Sequence, residues 1–183
     1  MKKLLLLLLT TAALFSSECK YETTGVDVAW EAYKTPLKLG VKGKFDNVVF
    51  LSEKAATLNT LVKNTKVKID TQKVNSNNPG RDAKLVKFFF EVQGIKSIDA
   101  EITSVNKELI NVNITMNSIT KNIPMRYTID KNNITAIGVI DLADFDMLTS
   151  LSTINKACYD LHKGKTWQDV TISFKLSTKK SCK

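Results

Sequence analysis

Alternation of apolar and polar residues recurs along most of this chain and constrains its fold more than any other feature. Ile110, Val112, Ile114 and Met116 alternate with Asn111, Asn113, Thr115 and Asn117. Val26, Val28 and Trp30 alternate with Asp27, Ala29 and Glu31, while Leu37, Leu39, Val41, Gly43 and Phe45 form a row with Lys38 and Lys42 on its other side. Ile123, Met125, Tyr127 and Ile129 make another row, and Val170, Ile172, Phe174 and Leu176 a last one. Successive side chains of a strand point to opposite faces, so each row predicts a strand with one dry and one wet face. Asp130-Lys131-Asn132-Asn133 has the composition of a hairpin turn between two of them, which predicts an antiparallel, meandering sheet.

Two segments carry helical spacing instead. Ser52 is the expected cap of a helix with Ala55, Leu58, Leu61 and Val62 on one face. Asp146 is the expected cap of another, in which Leu148, Leu151, Ile154, Cys158 and Leu161 recur, with Gly164 as its stop and His162 and Lys163 in its last turn. About eight one-sided strands with one or two short helices predict a mainly β fold, a closed antiparallel barrel, because closure removes exposed edges. A β-sandwich is the alternative this pattern leaves open. Such a barrel either fills its interior with side chains or holds one small ligand.

The first residues read as a signal peptide: Met1, Lys2 and Lys3 are basic, and Leu4 to Phe15 are apolar except for Thr10 and Thr11. Ser16 and Ser17 then supply the small residues a peptidase needs, with cleavage expected near residues 16–19. The run is shorter than the roughly 20 residues of a permanent span. Cys19 suggests a lipoprotein, but Glu18 stands where a small residue is wanted, so a cleaved product in the periplasm or medium is the expectation. Residues 17–183 then form a single domain.

The net charge of +9 falls to +7 when the leader removes two lysines and no acids. The surplus is spread as single lysines between apolar residues, the pattern of a solvated strand face, with weak attraction to anionic lipid headgroups as a corollary. No basic cluster or binding module points to nucleic acid.

Reaction chemistry has little to build on. Cys158 and His162 are one helical turn apart and could touch one metal ion, yet no Cys-x-x-Cys or second histidine completes a site, so no metal is expected. Asp141, Asp144 and Asp146 lack the order of a calcium loop and read as a strand end and helix caps. No nucleophile with a base signature and no phosphate-binding glycine loop is present, and no catalytic residue is assigned.

Cysteine placement bears on compartment. In an up-and-down barrel of even strand count the first and last strands pair antiparallel, which brings Cys19 beside Cys182, and an oxidising compartment favours their disulfide. Cys158–Cys182 is the competing pair; otherwise Cys158 is a buried apolar residue on its helix.

With these segments placed, the sequence resembles the YceI family of periplasmic, lipocalin-like, polyisoprenoid-binding barrels. The resemblance lies in Val26-Asp27-Val28-Ala29-Trp30 and Val41-Lys42-Gly43-Lys44-Phe45-Asp46. It is strongest in Val67-Lys68-Ile69-Asp70 followed by Gly80-Arg81-Asp82-Ala83-Lys84-Leu85 and Phe88-Phe89-Phe90. Gly138-Val139-Ile140-Asp141-Leu142-Ala143-Asp144-Phe145 is similar to a later strand and turn of the family. Family histidines of the first strand and of the segment after the Arg-Asp pair are replaced by Trp30 and Lys84, so no chemistry proposed for them is inherited.

The resemblance implies an apolar tunnel for an isoprenoid quinone, a fatty-acid derivative or a similar amphiphile, in a protein that is often a homodimer. Candidate lining residues are Val28, Trp30 and Phe45 near the start, and Phe88, Phe89 and Phe90 after the Asn75 to Gly80 loop. Ile114, Met116, Met125, Tyr127, Ile140, Phe145 and Phe174 complete the set, the methionines because flexible thioethers adapt to irregular chains. Arg81 is the candidate headgroup contact, set against a structural pairing with Asp82. The expected function is that of a carrier or scavenger whose only bound group is its lipid; the alternative is a filled barrel acting as a structural, interaction or stress-related protein.

Overall fold

A computed structural model describes residues 18–182. The expected leader, residues 1–16, lies outside the described residues. The described strands are β1 (Cys19–Lys34), β2 (Leu39–Phe45), β3 (Val49–Leu51), β4 (Lys66–Asp70), β5 (Val74–Asn75) and β6 (Ser97–Val105). They continue with β7 (Leu109–Met116), β8 (Ile119–Asp130), β9 (Asn133–Asp141) and β10 (Thr166–Cys182). They form one ten-stranded sheet in the order β3-β4-β6-β7-β8-β9-β10-β1-β2-β5, antiparallel at every pairing.

Alternation builds the sheet as expected. Along β7 each of Ile110, Val112, Ile114 and Met116 is buried while its neighbours are not. Asp130 pairs with Asn133 at the β8–β9 turn, where Lys131 takes a positive φ of 52°. Leu37 departs from its row: it sits in the β1–β2 turn, 80% exposed, because Thr35 and Lys38 with φ of 65° and 54° end the alternation there.

The sheet holds ten strands where about eight were expected. The sheet curls as a half-barrel whose hydrogen-bonded order runs from β3 to β5 without closing. Asn47, with a left-handed φ of 55°, stands between β2 and β3. Of these, β2 pairs with β1 and β5, whereas β3 pairs with β4. Near the gap, a single bridge joins Tyr21 to Ala55, and Thr23 Oγ1 lies 2.8 Å from Ser52 Oγ. The edges β3 and β5 are three and two residues long, too short to template further pairing.

Helices cover the ends of the trough. Helix α1 (Leu58–Lys63) buries Leu61 and Val62, but its cap is Thr57, whose side chain accepts from Thr60 N at 3.1 Å. Ser52, the expected cap, instead bonds Thr23 and Thr65. Helix α2 (Pro79–Leu85) runs into a π-helical turn, Val86–Phe90, and a 3-10 turn, Glu91–Gln93. The second expected helix divides into α3 (Leu148–Ala157) and α4 (Tyr159–His162). Asp146 does not cap α3: it ends the preceding 3-10 turn, Leu142–Phe145, with φ 55°. Gln93 takes the capping role from another segment, its Oε1 accepting from Ser150 N at 3.1 Å and from Ser150 Oγ at 2.7 Å. Its Nε2 donates to Asp146 O at 2.8 Å, so one side chain latches α3 to the 3-10 turn Glu91–Gln93. Among the described residues no helix is long and apolar enough to cross a membrane.

Cys19 and Cys182 face each other in the β1–β10 register and form a disulfide, leaving Cys158 free and buried. The first-and-last-strand pairing thus prevails over Cys158–Cys182.

Candidate binding site: an apolar trough of two joined cavities

Two cavities lie end to end inside the sheet, as the order of residues along its strands shows. β1 supplies Val26, Val28 and Trp30 to the first, then Trp30 and Ala32 to the second. β10 supplies Leu176, Phe174 and Ile172 to the first, then Ile172 and Val170 to the second. They meet at Trp30, Phe45, Ile98, Met116, Ile140 and Ile172, which line both. The empty space, openings included, is about 790 Å³ in the first and about 680 Å³ in the second. Without the openings the cavity volumes are only about 100 and 120 Å³, so the space is narrow, fit for a chain more than for a globular ligand.

The walls follow from register. Trp30 stands opposite Gly43 on β2 and Ile172 on β10, and Ile172 stands opposite Gly138 on β9. Two glycines therefore occupy the level of the bulkiest wall residue. A Cβ at position 43 would lie 2.3 Å from Trp30 Cζ2, and one at 138 would lie 2.9 Å from Met125 Cγ. Each glycine provides the room its neighbour fills. The second cavity is roofed by Leu85, Phe89, Phe90, Leu151 and Ile154 from the helical segments. Phe90 is buried, edge-on to Phe89 at 5.0 Å between ring centres and 6.3 Å from Phe45.

Neither wall carries a Lys, Arg, His, Asp or Glu side chain. Thr65 donates to Leu61 O, and Trp167 Nε1 donates to Thr35 O at 2.8 Å. Trp30 Nε1 is buried without a hydrogen-bond partner.

Of the candidate lining residues, Val28, Trp30, Phe45, Ile114, Met116, Met125, Ile140 and Phe174 face the first cavity. Phe89 and Phe90 face the second. Three do not reach either wall. Phe88 turns away on the π-helical segment, its ring beneath Lys87 Nζ at 5.2 Å, because three consecutive residues of a helix cannot share a face. Tyr127 packs at the core's margin with its hydroxyl on Asn106 O at 2.7 Å, and Phe145 is fully buried core. Arg81 is bound locally: Nε donates to Ser76 Oγ and Nη2 to Ser76 O, both at 2.7 Å. Ser76 Oγ in turn donates to Asp82, so the two charged residues are joined through a buried serine and Arg81 faces neither cavity.

Val67 and Ile69 on β4 and Ile98, Ala100 and Ile102 on β6 also line the first cavity and were not among the candidates. Their signal was present, since Ile98, Ala100 and Ile102 alternate with Asp99 and Glu101. Beside the second cavity, which Thr166 lines, His162 Nδ1 lies 2.6 Å from Thr166 Oγ1, whose own proton goes to Asn155 Oδ1 at 2.9 Å. Nδ1 therefore carries hydrogen. Burial, then the charges of Lys34 and Lys84, hold this imidazole below the usual histidine range. Among the described residues no group of three or more His, Cys, Asp or Glu could hold a metal ion.

No curated protein matches the chain. Among solved structures, a polyisoprenoid binding domain from Saccharophagus degradans, implicated in plant cell wall breakdown, superposes with a TM-score of 0.61 at 13% identity. That match covers 90% of this chain and 99% of the other. BcnA of Burkholderia cenocepacia superposes with a TM-score of 0.59 at 13% identity, over 84% of this chain and 96% of its own. These likenesses show the fold. A family model described as the YceI-like domain matches residues 21–178, nearly all of the described chain, and on that match the chain belongs to the YceI family.

Proposed function

We propose that this chain is an exported, periplasmic carrier or scavenger that holds one long apolar molecule, an isoprenoid, quinone or fatty-acid-like amphiphile, and catalyses no reaction on it. The observation that carries the reading is the pair of narrow, contiguous cavities with no charged side chain on their walls. A chain laid through them loses contact with water at about 0.8 kcal/mol per methylene. The fold of a polyisoprenoid binding domain supports the same ligand class. A filled barrel is the poorer reading, because side chains leave this space unoccupied.

Delivery requires approach to a membrane. Leu37 projects from the β1–β2 turn between Lys34 and Lys38, and Trp167, on the wall of the second cavity, is bonded to that turn through Thr35. An apolar tip among lysines suits transient contact with anionic headgroups.

Mass spectrometry of protein purified from its native compartment, under native and then denaturing conditions, tests the proposal. A mass excess that is lost on denaturation, with an apolar compound recovered, is the expected result; the native spectrum also reports any homodimer. A bare polypeptide mass with no uptake of long-chain compounds would overturn it.

A further inference from the structure

Exposed apolar side chains are ordinary when scattered, but at one end of this molecule they gather. Of the eleven large ones exposed among the described residues, Leu37, Leu39, Tyr159 and Leu161 come from two segments far apart in sequence. The fold brings those segments together. Thr35 N, in the β1–β2 turn, donates to Lys165 O at 2.8 Å, and Trp167 Nε1 donates back to Thr35 O. Tyr159 lies over Gly164, the residue before Lys165, where an added Cβ would meet its ring at 3.2 Å. Leu39 stands opposite Lys34 on β1. Lysines crowd the same end: Lys34, Lys38, Lys84, Lys163 and Lys165, against Asp141, Asp160 and Asp169. Lys34 pairs with Thr166 of β10, and its charge acts on His162 of α4 together with that of Lys84 from α2. Lys38 Nζ lies 2.7 Å from Asp169 and 5.0 Å from the centre of the Trp167 ring, and Lys165 Nζ lies 4.7 Å from that ring.

Extending the carrier reading, on which its purpose rests, we propose that this end is a docking surface for an anionic phospholipid bilayer. Its parts are the β1–β2 turn, α4 and the lysines around them. The lysine ammonium groups meet lipid phosphates while Leu37 and Leu161 enter the boundary of the acyl chains. Tyr159 and Trp167 have the amphipathic rings that favour the interface between them. Shape selects a bilayer over a protein partner. The apolar tips project from a turn and a four-residue helix, which suits entry into a fluid layer better than contact with a rigid surface. Trp167 and Thr166 belong both to this end and to the wall of the second cavity. Docking therefore sets the second cavity, not the first, against the bilayer, and a carried chain passes to the membrane from that side.

The test is co-sedimentation of the purified protein, at low salt, with vesicles of phosphatidylcholine and phosphatidylglycerol in equal amounts, and with phosphatidylcholine alone. Binding is expected to the mixed vesicles and not to the neutral ones, and it is expected to fall as salt rises. Lys163→Gln with Lys165→Gln is expected to weaken it about twentyfold. Leu37→Ser with Leu161→Ser is expected to weaken it about tenfold. All four side chains are exposed, which keeps loss of folding out of the comparison. Ile129→Ser is the control and is expected to bind as the wild type does: it is exposed and pairs with Ile134, which stands opposite Leu176, ten residues along β10 from Thr166. No binding by the wild type, or binding that both double variants leave unchanged, would overturn the surface. A solution dimer dissociated by the leucine substitutions, with no vesicle binding, would overturn it in favour of a second copy of the chain. Uptake of a fluorescent long-chain probe without vesicles reads the carrier function separately. Uptake without docking would overturn the surface alone, and docking without uptake would overturn the carrier reading and leave the surface standing.

Discussion

Gly43 shows how one missing side chain shapes the binding space. Opposite Trp30, it lets the indole lie flat across β2, and a methyl group there would meet the ring at 2.3 Å and the Asn75 carbonyl at 2.9 Å. Gly43→Ala is therefore expected to cost about 1–3 kcal/mol by overpacking, read from urea unfolding, and to weaken ligand uptake by displacing the indole. At Gly25 nothing lies within 4 Å of an added Cβ, so Gly25→Ala serves as the control. His162 supplies a prediction in pH. Its folded imidazole is held below the usual range, so the fold favours the neutral form. The stability this gives is present above the unfolded value of about 6.5 and is lost as pH falls through that value toward the folded one. Replacing the imidazole with an amide, His162→Gln, is expected to flatten the fall in urea midpoint between about pH 7 and 5. An unchanged slope would show that other groups govern it.

At the scale of elements, strands were far more legible than helix ends. Rows such as Ile110 to Met116 meet one dry face all along their length, so period alone located them. Helix boundaries depended on partners distant in sequence. Asp146 has the chemistry of a cap, but α3 is capped by Gln93, 57 residues before Ser150, a relation that local spacing does not encode. Gln93→Ala is expected to cost about 1–2 kcal/mol, because it strips the fully buried Ser150 hydroxyl of its acceptor along with the cap. Loss of protection at the Ser150 amide in hydrogen exchange would place the damage at α3. The same dependence on partners explains Arg81, whose fork closes on Ser76 five residues back instead of facing either cavity.

For the whole molecule, residue rows indicated curvature and an apolar interior but not closure. The break between β2 and β3 falls at Asn47, whose left-handed backbone is invisible to a hydrophobic pattern. The cavity walls were legible where rows face inward and failed where a helix or the core's margin intervened, at Phe88, Tyr127 and Phe145. The disulfide was legible because it depends only on which strands are first and last. It joins the ends of the central β1–β10 ladder, and Cys182→Ser is expected to cost about 2–5 kcal/mol while raising the thiols titrated in denaturant without reductant from one to two. An unchanged count would mean the bridge is absent.

Binding of a long apolar chain within the trough is tested most directly by calorimetric affinity across a homologous series that differs only in chain length. Affinity is expected to rise about fourfold per methylene until the two cavities are filled, and then to level off. Affinity that is flat from the shortest member onward would contradict burial of the chain in this space.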